Sequence, residues 1–311
     1  MSKSYKIYDA HMHIGGSAEP APEKLLEDLH KAGIYGGSVI SIDPEDPGFT
    51  YAERVRNLQQ WTQGYENRLF PVAWIHPDEK DVFDKVRELS DMGVVAFKFI
   101  PTNYYVYDQR PLEVFSLIEE LGKPIIFHSG ILYDFSESIN VNKPANWECF
   151  LRFKNIRFSM GHCAHPWSDE CLMLYGKFDW IKYHTECAAK GLPTIYKNYD
   201  WVQQHLIHGP ESEGTADEDS DVIGYQVPKL YLDTTPGAHG QFRRDLLTNI
   251  YSMSPDCQQV FFGSDHYVED YHPKIVAHWL KEEKELFNSL GASKTFFRRM
   301  YQDNYLEFIG K

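Results

Sequence analysis

Short apolar runs alternate with longer amphipathic ones from one end of the chain to the other. The runs Lys6–His11, Gly37–Ile42, Leu69–Ile75, Val94–Ile100, Pro124–His128, Ile156–Gly161, Lys229–Asp233 and Val260–Ser264 read as eight strands. Most are apolar almost throughout, as parallel strands covered on both faces are. Helix patterns lie between them. Pro22–Ala32 puts Leu25, Leu26 and Leu29 on one face and stops at Gly33. Thr50-Tyr51-Ala52-Glu53 forms a capping box that opens a second helix. Asp81–Met92 carries Val82, Phe83, Val86 and Leu89 and stops at Gly93. Pro111 sits in the first turn of a helix closed by Gly122. Further helices are expected at Asn146–Phe153, Trp167–Leu174, Gln241–Met253 and His272–Leu290. Eight strands, each followed by a helix, predict an α/β fold of the (β/α)8 barrel type rather than a doubly wound sheet.

One interval breaks the rhythm. Gly161 to Lys229 is far longer than one helix needs. It holds Trp180, Tyr183, His184, Tyr196, Tyr199, Trp201, His205 and His208, and the acidic run Glu211–Asp221. This predicts a single barrel domain over residues 1–311 with an insertion at about 176–228, between strands six and seven. The acidic run reads either as a solvated surface excursion or as a lid, because loops that follow barrel strands lie at the catalytic face. The formal charge of −14, from 31 Lys+Arg against 45 Asp+Glu, argues against nucleic acid or an anionic membrane as partner. Five cysteines without a CxxC make neither a disulfide framework nor a Cys-type zinc site, and free thiols suit a reducing cytosol. No apolar run is long enough to span a membrane, and the first residues do not resemble a signal peptide, so a cytoplasmic location is expected.

The chain has 14 histidines, and their positions matter more than their number. His11-Met12-His13 closes the first strand, and residues two apart on a strand point the same way. Alone this is weak: 14 His in 311 residues give roughly 0.6 such patterns by chance. But strand five ends in His128, strand six in His162 and strand eight in Asp265, while Lys98 lies near the end of strand four. In a barrel these ends rise into one mouth. Neutral imidazoles and a carboxylate around one point suit Zn²⁺, with Mn²⁺ or Fe²⁺ as softer choices.

The segments Tyr8-Asp9-Ala10-His11-Met12-His13, Ala96-Phe97-Lys98-Phe99-Ile100-Pro101, Ile126-Phe127-His128, Gly161-His162-Cys163-Ala164-His165-Pro166-Trp167, Leu230-Tyr231-Leu232-Asp233-Thr234 and Phe262-Gly263-Ser264-Asp265-His266-Tyr267 resemble the amidohydrolase superfamily. Within it the chain is similar to the branch of aminocarboxymuconate-semialdehyde decarboxylase-like enzymes. The resemblance implies one divalent metal, usually zinc, on His11, His13, His128 and Asp265. It implies that His162 is a catalytic imidazole beside the metal or a ligand to a second metal. Relatives of this type often pair as homodimers.

These residues suggest a division of labour. Asp265 accepts a proton from water, and His162 stabilises a developing oxyanion or protonates a leaving group. Lys98 is placed to meet a substrate carboxylate; Arg243 is a further candidate, and Trp167 one wall of a small-molecule pocket. Asp9 reads either as a carboxylate orienting a ligand or as an interior group bonded to backbone. Three functions remain open: a metal-dependent hydrolase of an amide, ester or lactone, a carboxy-lyase on the same site, and a ligand-binding barrel without catalysis. Deleting Glu211–Asp221 separates the two readings of the insertion: a lid predicts a changed KM, a surface excursion unchanged steady-state kinetics.

Overall fold

Nine strands among the described residues form one continuous parallel sheet, in the order β8-β7-β6-β5-β4-β3-β2-β1-β9. The structure, a computed structural model, describes residues 5–134, 136–137, 139–190, 192–195, 227–237 and 240–311. The strands are β1 Tyr8–His13, β2 Gly36–Ile40, β3 Leu69–Trp74, β4 Ala96–Phe99, β5 Ile125–Phe127, β6 Arg157–Met160, β7 Lys229–Asp233, β8 Val260–Phe261 and β9 His266–Tyr267. The main helices are α1 Pro22–Ala32, α2 Tyr51–Thr62, α3 Val82–Asp91, α4 Gln109–Glu120, α5 Ser168–Ala189, α6 Gly240–Met253 and α7 Pro273–Ser289, with α8 Lys294–Arg298 and α9 Asn304–Ile309 at the end. The two edges of the sheet meet. Ala10 N donates to Phe262 O at 2.9 Å, and Asp265 N donates to His11 O at 2.8 Å. The doubly wound alternative is thereby replaced by a barrel.

The local signals act as expected. Thr50 Oγ1 accepts from Glu53 N, and Glu53 Oε2 accepts from Thr50 N at 2.8 Å, the reciprocal capping box. α1 carries Pro22 at its start and ends at Gly33 in the left-handed region. Two expected helices differ. Pro144–Arg152 is a 3-10 helix, and its buried Pro144, Trp147 and Phe150 are three residues apart, which is the repeat of that helix. α5 runs on to Ala189, because Tyr175, Phe178, Ile181 and Thr185 continue its buried face. The first part of the expected insertion is therefore the same helix that follows β6. The acidic run Glu211–Asp221 lies outside the described residues.

Inside the barrel the strands show a two-residue rhythm. Ile40, Phe70, Val72, Ala96, Ile126, Tyr231 and Phe261 form an inner cluster, packed against Tyr305, Phe308 and Ile309 of α9. Phe97, Phe99, Ile125, Phe127, Phe158 and Met160 belong to the outer cluster under the helices. One step further along the inner rows come Trp74, Lys98 and His128, lining a cavity of about 360 Å³.

β1 and β2 approach so closely that a Cβ on Gly37 would lie 1.8 Å from Asp9 O. Gly37→Ala is expected to destabilise the fold by about 3 kcal/mol or more, since the clash is with backbone. Urea denaturation measures this, and an unchanged midpoint would refute the tight approach.

Candidate metal centre at the barrel mouth

Two strands depart from the inner rhythm, and both departures bring a histidine into the cavity. On β1 the register with β2 shifts between Asp9 and Met12, where three residues span what two span on β2. Tyr8 and Ala10 below the shift pack in the inner cluster; His11 and His13 line the cavity above it. A bulge of this kind re-aims side chains. On β6 and just past it the inward positions are Ser159 and Gly161, alternating with the outward Phe158 and Met160. His162 would then turn outward, but positive φ at His162 (59°), Cys163 (43°) and Ala164 (53°) swings it in. Asp265 also has φ of 62°. Such backbone costs on the order of 1 kcal/mol per residue and gathers at functional sites.

The gathered groups are close. His11 Nε2 lies 3.1 Å from His13 Nε2 and 3.0 Å from Lys98 Nζ. Asp265 Oδ1 lies 3.7 Å from His11 Nε2 and 3.5 Å from His13 Nε2, and its Oδ2 faces His162 Nε2 at 4.0 Å. Ligand atoms of His11, His13 and Asp265 all fall within 4.8 Å of one another. His128 stands beside His162, with ring centroids 4.7 Å apart, and its buried Nε2 makes no hydrogen bond.

His11 is oriented from the far side of its ring. Its Nδ1–H donates to Asp233 Oδ2 at 2.6 Å, and both side chains are wholly buried. Asp233 Oδ1 accepts from Thr235 N at 3.0 Å and from the Thr235 hydroxyl. A carboxylate on Nδ1 fixes the tautomer and leaves the Nε2 lone pair aimed at the cluster, the arrangement typical of a metal-ligating histidine. Asp233 was not singled out from sequence. Its signal was available: it lies two residues beyond Tyr231 on the inner row, at the end of β7.

Asp9 has the other role weighed for it. Its Oδ1 accepts from His11 N at 3.2 Å and Ser264 N at 2.9 Å, and its Oδ2 from the Tyr271 hydroxyl at 2.9 Å. It is bonded to backbone and ties β1 to the turn that carries Asp265. Burial outweighs these hydrogen bonds and pushes its carboxyl up to about 7.

Burial, then the positive neighbours, holds His11, His13 and His128 well below the ordinary imidazole range and brings His162 to about 4. The imidazoles are thus uncharged at neutral pH, as metal binding requires. Burial lowers Lys98 to about 8 against the pull of Asp265 and Asp233, and raises Asp265 to about 7 against the pull of Lys98.

His11, His13, Lys98, His128, His162 and Asp265 all line the one cavity. Trp74, Tyr133 and Tyr267, not expected from sequence, line it too, as does His165 of the segment after β6. Trp74 meets the His13 ring edge-on, with centroids 5.6 Å apart. Trp167 and Arg243 are elsewhere. Trp167 precedes α5, with Lys143 Nζ 5.9 Å from its ring centre. Arg243 is held by Glu283 and by Thr234 O.

Solved structures resemble the whole chain. A probable 2-pyrone-4,6-dicarboxylic acid hydrolase from Acinetobacter baumannii, with citric acid bound, superposes with a TM-score of 0.55 at 12% identity, covering 98% of this chain and 100% of that one. An amidohydrolase 2 from Bifidobacterium longum subsp. infantis gives 0.54 at 10% identity, over 99% of each chain. A dihydroorotase from Campylobacter jejuni gives 0.51 at 13% identity, over 98% of this chain and 83% of that one. Curated ferrochelatases from Synechococcus elongatus and a Synechococcus species are 24% identical over 112 residues. That stretch is 35% of this chain and spans only about a quarter (27%) of either ferrochelatase. A family model described as amidohydrolase matches residues 8–189, which run from β1 to the end of α5 and include five of the six side chains of the cluster. With more than half of its length matched, the chain belongs to the amidohydrolase family.

Proposed function

We propose that the protein is a metal-dependent hydrolase that adds water to an ester, lactone or amide of a small substrate. The observation that carries the reading is the trio His11, His13 and Asp265, with ligand atoms within 4.8 Å of one another and the His11 tautomer set by Asp233. The orphaned, buried Nε2 of His128 fits a fourth ligand position. These four residues would hold one divalent ion, zinc by their donor set, which supplies Lewis acidity and brings the pKa of a water down to about 7.

The chain's own residues divide the remaining work. Asp265 turns Oδ1 toward the two histidines of β1 and Oδ2 toward His162. A proton taken from the attacking water at Oδ2 therefore lies near His162 Nε2. As the water oxygen bonds to the substrate carbonyl carbon, His162 hydrogen-bonds the carbonyl oxygen. The bond to the leaving group then breaks, and the proton passes to that group. Trp74, Ile100 and Ile131 offer the cavity apolar walls against bulk water, and Lys98 meets a negative group of the substrate. No described helix is long and apolar enough to cross a membrane, and all five cysteines are unpaired, in keeping with a reducing cytosol.

Protein purified without added metal is expected to carry zinc by elemental analysis. A chelator is expected to abolish turnover of a panel of small esters, lactones and amides, and added zinc to restore it. Asp265→Asn is expected to lower kcat by about 10²–10⁴-fold with circular dichroism unchanged. Turnover that survives both chelation and this substitution would end the reading. Release of CO₂ without net addition of water would assign the same residues to a carboxy-lyase instead.

A further inference from the structure

Behind the ligand His11, the last residue of β7 and the segment that follows it touch two imidazoles at once. Asp233 and Thr235 hold the His11 ring through its Nδ1, at 2.6 and 3.2 Å. Gly237 packs on His162 so tightly that a Cβ there would lie 2.8 Å from His162 Cβ. A short irregular segment is a poor support for such contacts unless something fixes it. Thr234 N donates to Phe261 O at 3.0 Å and Cys163 Sγ to Asp233 O at 3.4 Å, and a side chain from the outer helices adds a further hold. Arg243 on α6 donates Nη1 to Thr234 O at 2.9 Å and Nη2 to Glu283 Oε1 on α7. Glu283 is 2% exposed, and the Arg243 side chain 13%. A buried pair of this kind contributes little net stability, because desolvating both charges roughly offsets their attraction, while losing one partner is costly. Its guanidinium is a rigid fork, able to hold a backbone carbonyl and a carboxylate in one fixed relation.

We infer that the Arg243–Glu283 pair is a positioning device: by clamping the Thr234 carbonyl to α6 and α7, it holds Asp233 against His11 and so sets the tautomer of a metal ligand from outside the barrel. Arg243, a candidate for substrate contact by sequence, then acts through Asp233 and touches no substrate. The inference rests on the metal reading for its consequence, but its geometry does not require an ion.

Two measurements test it on the full chain. The first uses the metal-free protein and follows by NMR the His11 Nδ1 proton shared with Asp233. Arg243→Ala is expected to broaden or shift that resonance, Arg243→Lys to restore it in part, and Arg244→Ala, an exposed neighbour, to leave it unchanged. The second titrates Zn²⁺ against a chelating dye. Arg243→Ala is expected to weaken Zn²⁺ binding about 10-fold, the lower range for residues that orient ligands. Asp233→Ala is expected to weaken it as much or more, and the double variant no further than Asp233→Ala alone, because the two act in series. A resonance unmoved in Arg243→Ala, or fully additive losses of zinc affinity, would overturn the positioning role, even if the melting temperature falls. A wild-type chain that takes up no zinc would sink the metal reading, and the proton resonance would then decide the positioning role by itself.

Discussion

The hydrogen bond from His11 Nδ1 to Asp233 Oδ2 is the interaction on which the mouth of the barrel depends. It joins the first strand to the seventh and decides which nitrogen of His11 faces the cavity. It also sets a demand. A carboxylate with no solvent exposure costs several kcal/mol unless its lone pairs are met. Asp233 meets that demand with His11 Nδ1, Thr235 N and the Thr235 hydroxyl. The last two come from the residue two positions on, so the carboxylate and its local support are one turn of chain.

That turn is accommodated by the neighbouring strand. A Cβ on Gly263 would fall 2.4 Å from Thr235 Oγ1, 2.7 Å from His11 Cβ and 2.8 Å from Asp233 Oδ1. Only a glycine lets the chain just after β8 close on β1 across this network. Two residues later the turn after β8 delivers Asp265, and Asp9 pins that turn through Ser264 N. The closure of the sheet and the assembly of the site are therefore the same event. The strand edges cannot meet without bringing Asp265 next to His11 and His13.

Much of this was legible in the sequence, and the reason is period. Buried parallel strands are apolar almost throughout, so each of β1 to β7 could be located to within a few residues. The inner row then ran on to Lys98, His128 and Asp265 by steps of two. What was not legible is where the period breaks. The bulge in β1 changes which residues face inward, so Asp9 and His11 do not do the same work although they are two apart. The left-handed run His162–Ala164 has no glycine to announce it, since glycine is the residue that adopts such backbone freely. Arg243 reads from sequence as a candidate for substrate contact at the start of a helix, because sequence does not show that Glu283, forty residues on, lies across from it.

The charges around the cavity differ in character from the strongly acidic chain as a whole. Lys98 faces Asp233 and Asp265 across the cluster, and four imidazoles are kept neutral by burial. Neutral nitrogen donors beside carboxylates suit a divalent cation better than a proton, since burial has already made protonation of the imidazoles unfavourable. The charge of −14 on the whole chain says little about this cavity, because at physiological salt exposed charges more than about 8 Å away are largely screened while those in the cavity are not.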